Sequence, residues 1–95
     1  MARYVSLIRF TEQGVRNLSK SPSRAVAFRK AAEKAGVTVE THLWTTGAYD
    51  GVLIVSADDD ETALKQIAKL AALGNVRTET LQAFDAAEFA AIVGK

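Results

Sequence analysis

The sequence predicts an α+β domain in which four β-strands and two main helices follow one another in the order βαββαβ. Runs of β-branched and aromatic residues occur four times along the chain. Amphipathic segments separate the first run from the second and the third run from the fourth. This order gives a four-stranded antiparallel sheet with both helices on one face, which is the ferredoxin-like fold.

The first half of the chain contains a strand, a polar connection and a helix. Residues 3–10 are rich in aromatic and β-branched types, and residues 11–20 are polar. Ser21 and Pro22 predict a helix start, with serine as N-cap and proline at the first helical position, and Gly36 predicts its end. The helix face predicted to be buried consists of Ala25, Phe28, Ala32 and Ala35.

A β-hairpin is predicted in the middle of the chain. Residues 37–46 are β-formers without a helix-favouring stretch, and residues 52–57 form a short apolar run. Between them, residues 47–51 are bracketed by glycines, as expected for a tight turn. These segments are the second and third strands.

Two further helices are predicted to begin at capping boxes. Asp58 with Glu61 opens the second main helix, and Asp85 with Glu88 opens a short terminal helix that continues to residue 93. Residues 76–84 between them read as the fourth strand. The predicted buried stripe of the second main helix is Leu64, Ile67, Ala68 and Ala71.

Length and composition predict one domain over residues 1–95 and exclude several functions. Apolar residues make up 48% of the chain and charged residues 24%, as in folded globular domains. The net charge of +1 provides no field that would attract nucleic acid or an anionic membrane. Without cysteine and with one histidine, His42, the chain predicts no disulfide, no metal site and no cofactor. Arg9 interrupts the first apolar run, so we expect neither a signal peptide nor a membrane span, and a cytoplasmic location.

The predicted sheet is apolar on both faces. Tyr4 and Ile8 alternate with Val5 and Leu7 along the first strand. The second strand is predicted to be apolar on both faces in the same way, with His42 and Trp44 on one face and Val39 and Leu43 on the other. Two helices cover only one face, and an uncovered apolar face usually marks a protein interface. We therefore expect a homodimer or a larger homo-oligomer. The alternative is a monomer in which the terminal helix folds over the sheet.

Two segments of the chain resemble the GYD domain family. They are residues 44–50, Trp-Thr-Thr-Gly-Ala-Tyr-Asp, and residues 72–81, Ala-Leu-Gly-Asn-Val-Arg-Thr-Glu-Thr-Leu. The resemblance extends over nearly the whole chain and implies a ferredoxin-like domain of the dimeric α/β-barrel group without an established activity. The hairpin is also similar to the effector-binding half of feast/famine transcriptional regulators, although the chain has no amino-terminal helix-turn-helix.

The hairpin carries the candidate binding residues. His42 and Trp44 are two residues apart on one strand and share a face, and Gly47, Tyr49 and Asp50 lie in the turn that follows. An imidazole can transfer protons, a carboxylate can orient it, a phenol can donate to a carbonyl and an indole can stack on a flat substrate. The alternative is that these residues serve packing and turn formation.

Two weaker groups of polar residues are also present. Residues 19–24, Ser-Lys-Ser-Pro-Ser-Arg, surround a helix start where an anion could bind. Ordinary capping with solvated cations explains them better, because no glycine-rich segment precedes the helix. Charged residues of the strands are expected to pair across the sheet or across a dimer contact; they are Arg3, Arg9, Glu40, Arg77 and Glu79.

The sequence favours a module that binds a small molecule between sheet and helices or between subunits. A cofactor-free monooxygenase or isomerase, a stand-alone effector sensor and an oligomerisation module remain alternatives. The residues do not decide whether the chain is an enzyme.

Overall fold

The computed structural model describes residues 1–94 and has the predicted ferredoxin-like architecture. Its four strands form one antiparallel sheet in the order β2-β3-β1-β4. The strands are β1 (Ala2–Phe10), β2 (Thr38–Trp44), β3 (Gly51–Ala57) and β4 (Val76–Gln82). The Trp44 end of the sheet, as it is called below, is the end at which β1 and β2 finish and β3 and β4 begin. The opposite end is the Arg3 end.

Two long helices cover one face of this sheet. The helices are α1 (Glu12–Arg16), α2 (Ser21–Lys34), α3 (Asp60–Ala72) and α4 (Ala86–Val93), and a 3-10 turn spans Leu18–Lys20. Helix α2 packs on β2, whereas α3 packs on β1, β3 and β4. Among residues 1–94, no helix has the length and apolar character needed to cross a membrane.

The core lies between the sheet and helices α2 and α3. Leu53 and Val55 of the central strand β3 are fully buried there, together with Ala32 of α2 and Ala63 of α3. Because side chains alternate along a strand, the neighbours Val52 and Ile54 point to the opposite face. One face of the sheet is therefore a closed core, and the other is only partly covered.

A β-bulge in β2 changes which residues share a face. The pairing with β3 shifts between Val39 and Thr41, so Val39 pairs with Val55 and His42 pairs with Leu53. An unbroken strand would place Val39 and His42 on opposite faces, since three positions separate them. The bulge places both on the helix-covered face. The sequence-based assignment of Val39 to the face opposite His42 was therefore wrong.

The predicted start of α3 is displaced by one residue. Asp59, rather than Asp58, is the N-cap, and its side chain accepts a hydrogen bond from the Thr62 amide at 2.8 Å. The inward stripe is formed by Ala63, Ile67 and Leu70. Of the predicted stripe only Ile67 is buried; Leu64, Ala68 and Ala71 are exposed. The second predicted capping box, Asp85 with Glu88, is confirmed at the start of α4.

The polar connection before α2 contains a short helix and a 3-10 turn that the sequence analysis did not predict. Thr11 caps α1 by accepting a hydrogen bond from the Gly14 amide, and its hydroxyl donates to the Gly74 carbonyl at 2.6 Å. A Cβ atom at Gly14 would lie 2.0 Å from the Asn75 carbonyl oxygen, so this close approach requires glycine. Helix α2 begins at Ser21, whose side chain is not a cap. The predicted role of Ser21 as N-cap was therefore wrong.

Candidate functional site

A small cavity lies between α2, the end of α3 and the Trp44 end of the sheet. Its volume is about 60 Å³, and most of its wall is apolar. Its polar wall residues are Ser21, Arg24, His42, Asp50 and Asn75. The bulge in β2 positions His42 and Trp44 toward this cavity, on the same side as the buried core.

His42 and Trp44 form one wall of the cavity as a stacked pair. Their ring centroids are 4.7 Å apart and their planes are inclined by 16°. The Trp44 indole Nε1 donates a hydrogen bond to the Ser21 hydroxyl oxygen at 3.0 Å, which ties the edge strand to α2. Trp44 is nevertheless 47% exposed. The indole is therefore fixed at one edge while another part of it remains open to a ligand.

Burial lowers the pKa of His42 below its ordinary value of 6.5, and the nearby Arg29 guanidinium lowers it further. The imidazole is therefore neutral at pH 7. A neutral imidazole can stack on Trp44 and offer one donor and one acceptor, but it adds no positive charge to the cavity.

Arg24 supplies the cation of the cavity. Its Nη1 donates to the Asn17 carbonyl oxygen at 3.0 Å, which holds the guanidinium in place. Its Nη2 is buried and has no hydrogen-bond partner among residues 1–94. Sequence reasoning included Arg24 only in a group of polar residues at a helix start. A sharper signal was available, because Arg24 lies three residues after Ser21 and four before Phe28, on the helix face that meets the sheet.

The turn after β2 is tied to β1 through Asp50. The Asp50 carboxylate accepts a hydrogen bond from the Phe10 amide at 2.8 Å, and the Asp50 amide donates to the Ile8 carbonyl at 2.7 Å. Gly47 adopts a φ of 105°, as expected for this glycine turn, and does not line the cavity. Asp50 thus has a structural role and also borders the cavity.

Tyr49 lies on the opposite face of the sheet from His42 and Trp44. Its hydroxyl donates a hydrogen bond to the Glu79 carboxylate, and the Arg9 guanidinium carbon lies 4.6 Å from its ring centroid. The hydrogen bond to Glu79, assisted by desolvation, raises the pKa of the Tyr49 phenol. Of the four predicted functional side chains, the structure brings three to one cavity and places the fourth elsewhere.

An open groove adjoins the cavity at its outer side. It encloses about 440 Å³ and shares Phe10, Ser21, Trp44 and Asp50 with the cavity wall. Val15, Leu18 and Pro22 complete its largely apolar lining. Among residues 1–94, no three histidine, aspartate or glutamate side chains are grouped so that they could hold a metal ion.

The second candidate surface is the face of the sheet that the long helices leave uncovered, called the open face below. Its apolar residues are Val5, Leu7, Leu43, Val52, Ile54 and Leu81. Leu43 is 57% exposed and Leu81 is 51% exposed. Helix α4, whose first turn contacts Arg3, also carries exposed apolar side chains, among them Phe89 and Ile92.

Charged residues occupy the two ends of the open face. At the Arg3 end, Arg3 contacts Glu40 at 3.3 Å, Glu88 at 3.2 Å and Asp85 at 4.0 Å. The predicted pairing of strand charges across the sheet is confirmed for Arg3 and Glu40. At the Trp44 end, Arg9 lies directly opposite Arg77, with Glu79 two pairs further along β4 on the same face. One end of the open face is therefore acidic and the other basic.

The fold, the open face and the small cavity behind it define a ferredoxin-like α+β domain. Residues 4–93 match the GYD domain, and the chain belongs to the GYD domain family. A relative from Thermus thermophilus named "Glutamine synthetase and cystathionine beta-lyase binding protein" is 33% identical over 92 residues, which are 96% of this chain and 97% of the relative. A crystal structure of a protein from Thermus thermophilus is 30% identical, with a TM-score of 0.58; the match covers 90% of this chain and 96% of that one.

Proposed function

We propose that this chain is a protein-binding module that works as a homodimer, in which the open faces of two copies pack against each other. The observation that supports this proposal is the six-residue apolar centre of the open face. Val5, Leu7, Val52 and Ile54 are only partly covered, and Leu43 and Leu81 are more than half exposed. A contiguous apolar surface with a charged rim is the ordinary composition of a protein interface.

The charges at the rim favour a second copy as the occupant. At the Arg3 end, three carboxylates surround one arginine, whereas at the Trp44 end, Arg9 and Arg77 accompany one glutamate. A two-fold axis across the strands would place the basic end of one copy over the acidic end of the other. The like charges of Arg9 and Arg77 would then face carboxylates, which removes an unfavourable pairing.

The proposed external partner of the dimer is a folded enzyme. This step is supported by the Thermus relative, which is named for binding glutamine synthetase and cystathionine beta-lyase and is aligned with nearly the whole of this chain. We place this interaction in the cytoplasm. In this proposal the chain contributes a binding surface and no catalytic group.

Paired substitutions test the proposed dimer. Leu43→Glu and Leu81→Glu introduce charges at exposed positions of the open face, so the folded protomer should tolerate them while dimerisation weakens. Val26→Glu is the matched control, since Val26 is 54% exposed on α2, away from the open face. Light scattering should give the monomer mass for the first two variants and the parent mass for the control. Equal masses for all three variants would contradict the proposal.

Purified glutamine synthetase and cystathionine beta-lyase from the same source test the external partner. Titration calorimetry should detect saturable binding of the parent protein to at least one of them. Val26→Glu, which adds a charge on α2 away from the open face, should bind like the parent protein. Absence of heat with both enzymes at about 100 μM, a concentration well above the Kd range of specific complexes, would refute this part of the proposal and leave the dimer unaffected.

Small-molecule binding is the second candidate function, and the cavity supports it. His42, Trp44 and Asp50 border that cavity, whereas Tyr49 and Gly47 would have to act from outside it. The volume of about 60 Å³ is well below the range of about 300–1,000 Å³ for pockets that enclose a whole ligand. A cofactor-free enzyme would need such an enclosure, so this geometry favours binding of a small group over catalysis.

A further inference from the structure

We propose that the cavity binds the carboxylate of a small organic monocarboxylate, with Arg24 as its recognition residue. The body of the ligand lies in the adjoining groove, against Trp44. This site is within one protomer and does not depend on the proposed dimer or on an enzyme partner.

The unpaired nitrogen of Arg24 is the first argument for an anion. A buried polar atom without a hydrogen bond is costly, and such atoms usually have a partner. The Asn17 carbonyl engages Nη1 and leaves Nη2, which is buried, without a partner among residues 1–94. A carboxylate is the natural partner of a guanidinium edge, because charge and fork geometry both match.

The size of the cavity is the second argument. A volume of about 60 Å³ is several times the roughly 10–15 Å³ that one water molecule requires, and it is well below that of a pocket for a whole ligand. This size suits a carboxylate group. The groove of about 440 Å³ shares four wall residues with the cavity, including Phe10 and Trp44, so an attached apolar or flat body can continue into it.

The charges around the cavity favour a single negative charge on the ligand. Arg24 is the cation of the wall, while His42 is held neutral and Asp50 is a carboxylate that also borders the space. A second negative charge on the ligand would meet Asp50 instead of another cation. Monocarboxylates are therefore favoured over dicarboxylates and over phosphate.

Sodium acetate and sodium benzoate are the probes, and benzamide is the uncharged control for benzoate. Sodium chloride keeps the ionic strength constant in every titration. The chain has one tryptophan, so its indole N–H signal in a ¹H–¹⁵N NMR spectrum reports on Trp44 alone. Acetate and benzoate should shift this signal saturably, benzoate at lower concentration, and benzamide should have little effect.

Three variants assign the effect to Arg24. Arg24→Gln should weaken carboxylate binding at least tenfold, which corresponds to the loss of a charge-assisted hydrogen bond. Arg24→Lys should weaken carboxylate binding less, because lysine keeps the positive charge and loses only the two parallel N–H donors of the guanidinium. Lys30→Gln, which removes an exposed cation from the same helix, should bind like the parent.

The proposal is overturned if neither carboxylate shifts the indole signal in a saturable way up to about 10 mM, which covers binding into the millimolar range. It is also overturned if benzamide binds as well as benzoate, or if Arg24→Gln binds like the parent. Thermal melting of each variant shows whether it is folded, and Arg24→Lys provides the comparison if the glutamine variant is not. The dimer mass is expected to be the same in all these variants, so failure here is distinct from failure of the proposed assembly.

Discussion

Substitution of Gly47 by valine should destabilise the fold through the backbone alone. The φ of 105° at Gly47 is a conformation that residues with a side chain rarely adopt. A Cβ atom there would meet nothing within 4 Å, so the cost is expected to come from the backbone conformation and not from a clash of the added Cβ. Local strain of this kind costs about 1–3 kcal/mol, and we expect about 2 kcal/mol or more for a β-branched residue.

Thermal melting at a fixed protein concentration measures this cost. In a domain of this size, 1 kcal/mol shifts Tm by about 4–8 °C, so a cost of about 2 kcal/mol should lower the Tm of Gly47→Val by about 8–16 °C. Gly47→Asn should lose less, because asparagine tolerates positive φ better. Ala48→Val, one position further along the same exposed turn, is the control and should melt close to the parent. A Gly47→Val variant that melts within about 2 °C of the parent would refute the reasoning.

Three further predictions follow from the core and the cavity wall. Leu53→Ala, at a fully buried position, should lower the free energy of unfolding by about 2–5 kcal/mol in urea titrations, and a loss below about 1 kcal/mol would contradict the described core. The pKa of His42 is lower in the folded protein than in the unfolded chain. As the pH drops below about 6.5, the unfolded chain therefore binds this proton before the folded protein does, and the free energy of unfolding should fall. His42→Gln should remove this part of the pH dependence. Trp44→Phe and Ser21→Ala should each cost about 1 kcal/mol through their shared hydrogen bond, and the double variant should cost clearly less than the sum, whereas strict additivity would exclude this coupling.

Local signals in the sequence were sufficient to predict most of the fold. Strand composition located all four strands, and Gly36 and Gly47 have the positive φ values expected at a helix end and in the turn. The capping box of Asp85 and Glu88 is also present. These features are local, because each depends on residues within a few positions of one another.

Features that depend on contacts between distant segments could not be predicted. The bulge in β2 arises from its register against β3, and the β-forming residues around Val39 fit either face. The same limit applies to the start of α3, where three consecutive aspartates offer competing N-caps and a displacement by one residue rotates the buried stripe by about 100°.

The candidate site was predictable only in part. Spacing along β2 correctly placed His42 and Trp44 on one face. Tyr49 lies in the turn, where alternation no longer applies, and its contacts with Glu79 and Arg9 draw it to the open face.

The mass of the unmodified chain in solution tests the central claim most directly. A protomer has a mass of 10.2 kDa, so a homodimer closed through the open face should have twice that mass by light scattering at micromolar concentration. A mass of 10.2 kDa that persists as the protein concentration is raised to about 1 mM, where even weak self-association is detectable, would contradict the account. The apolar centre of the open face would then be exposed to water, and the proposed dimer would be wrong.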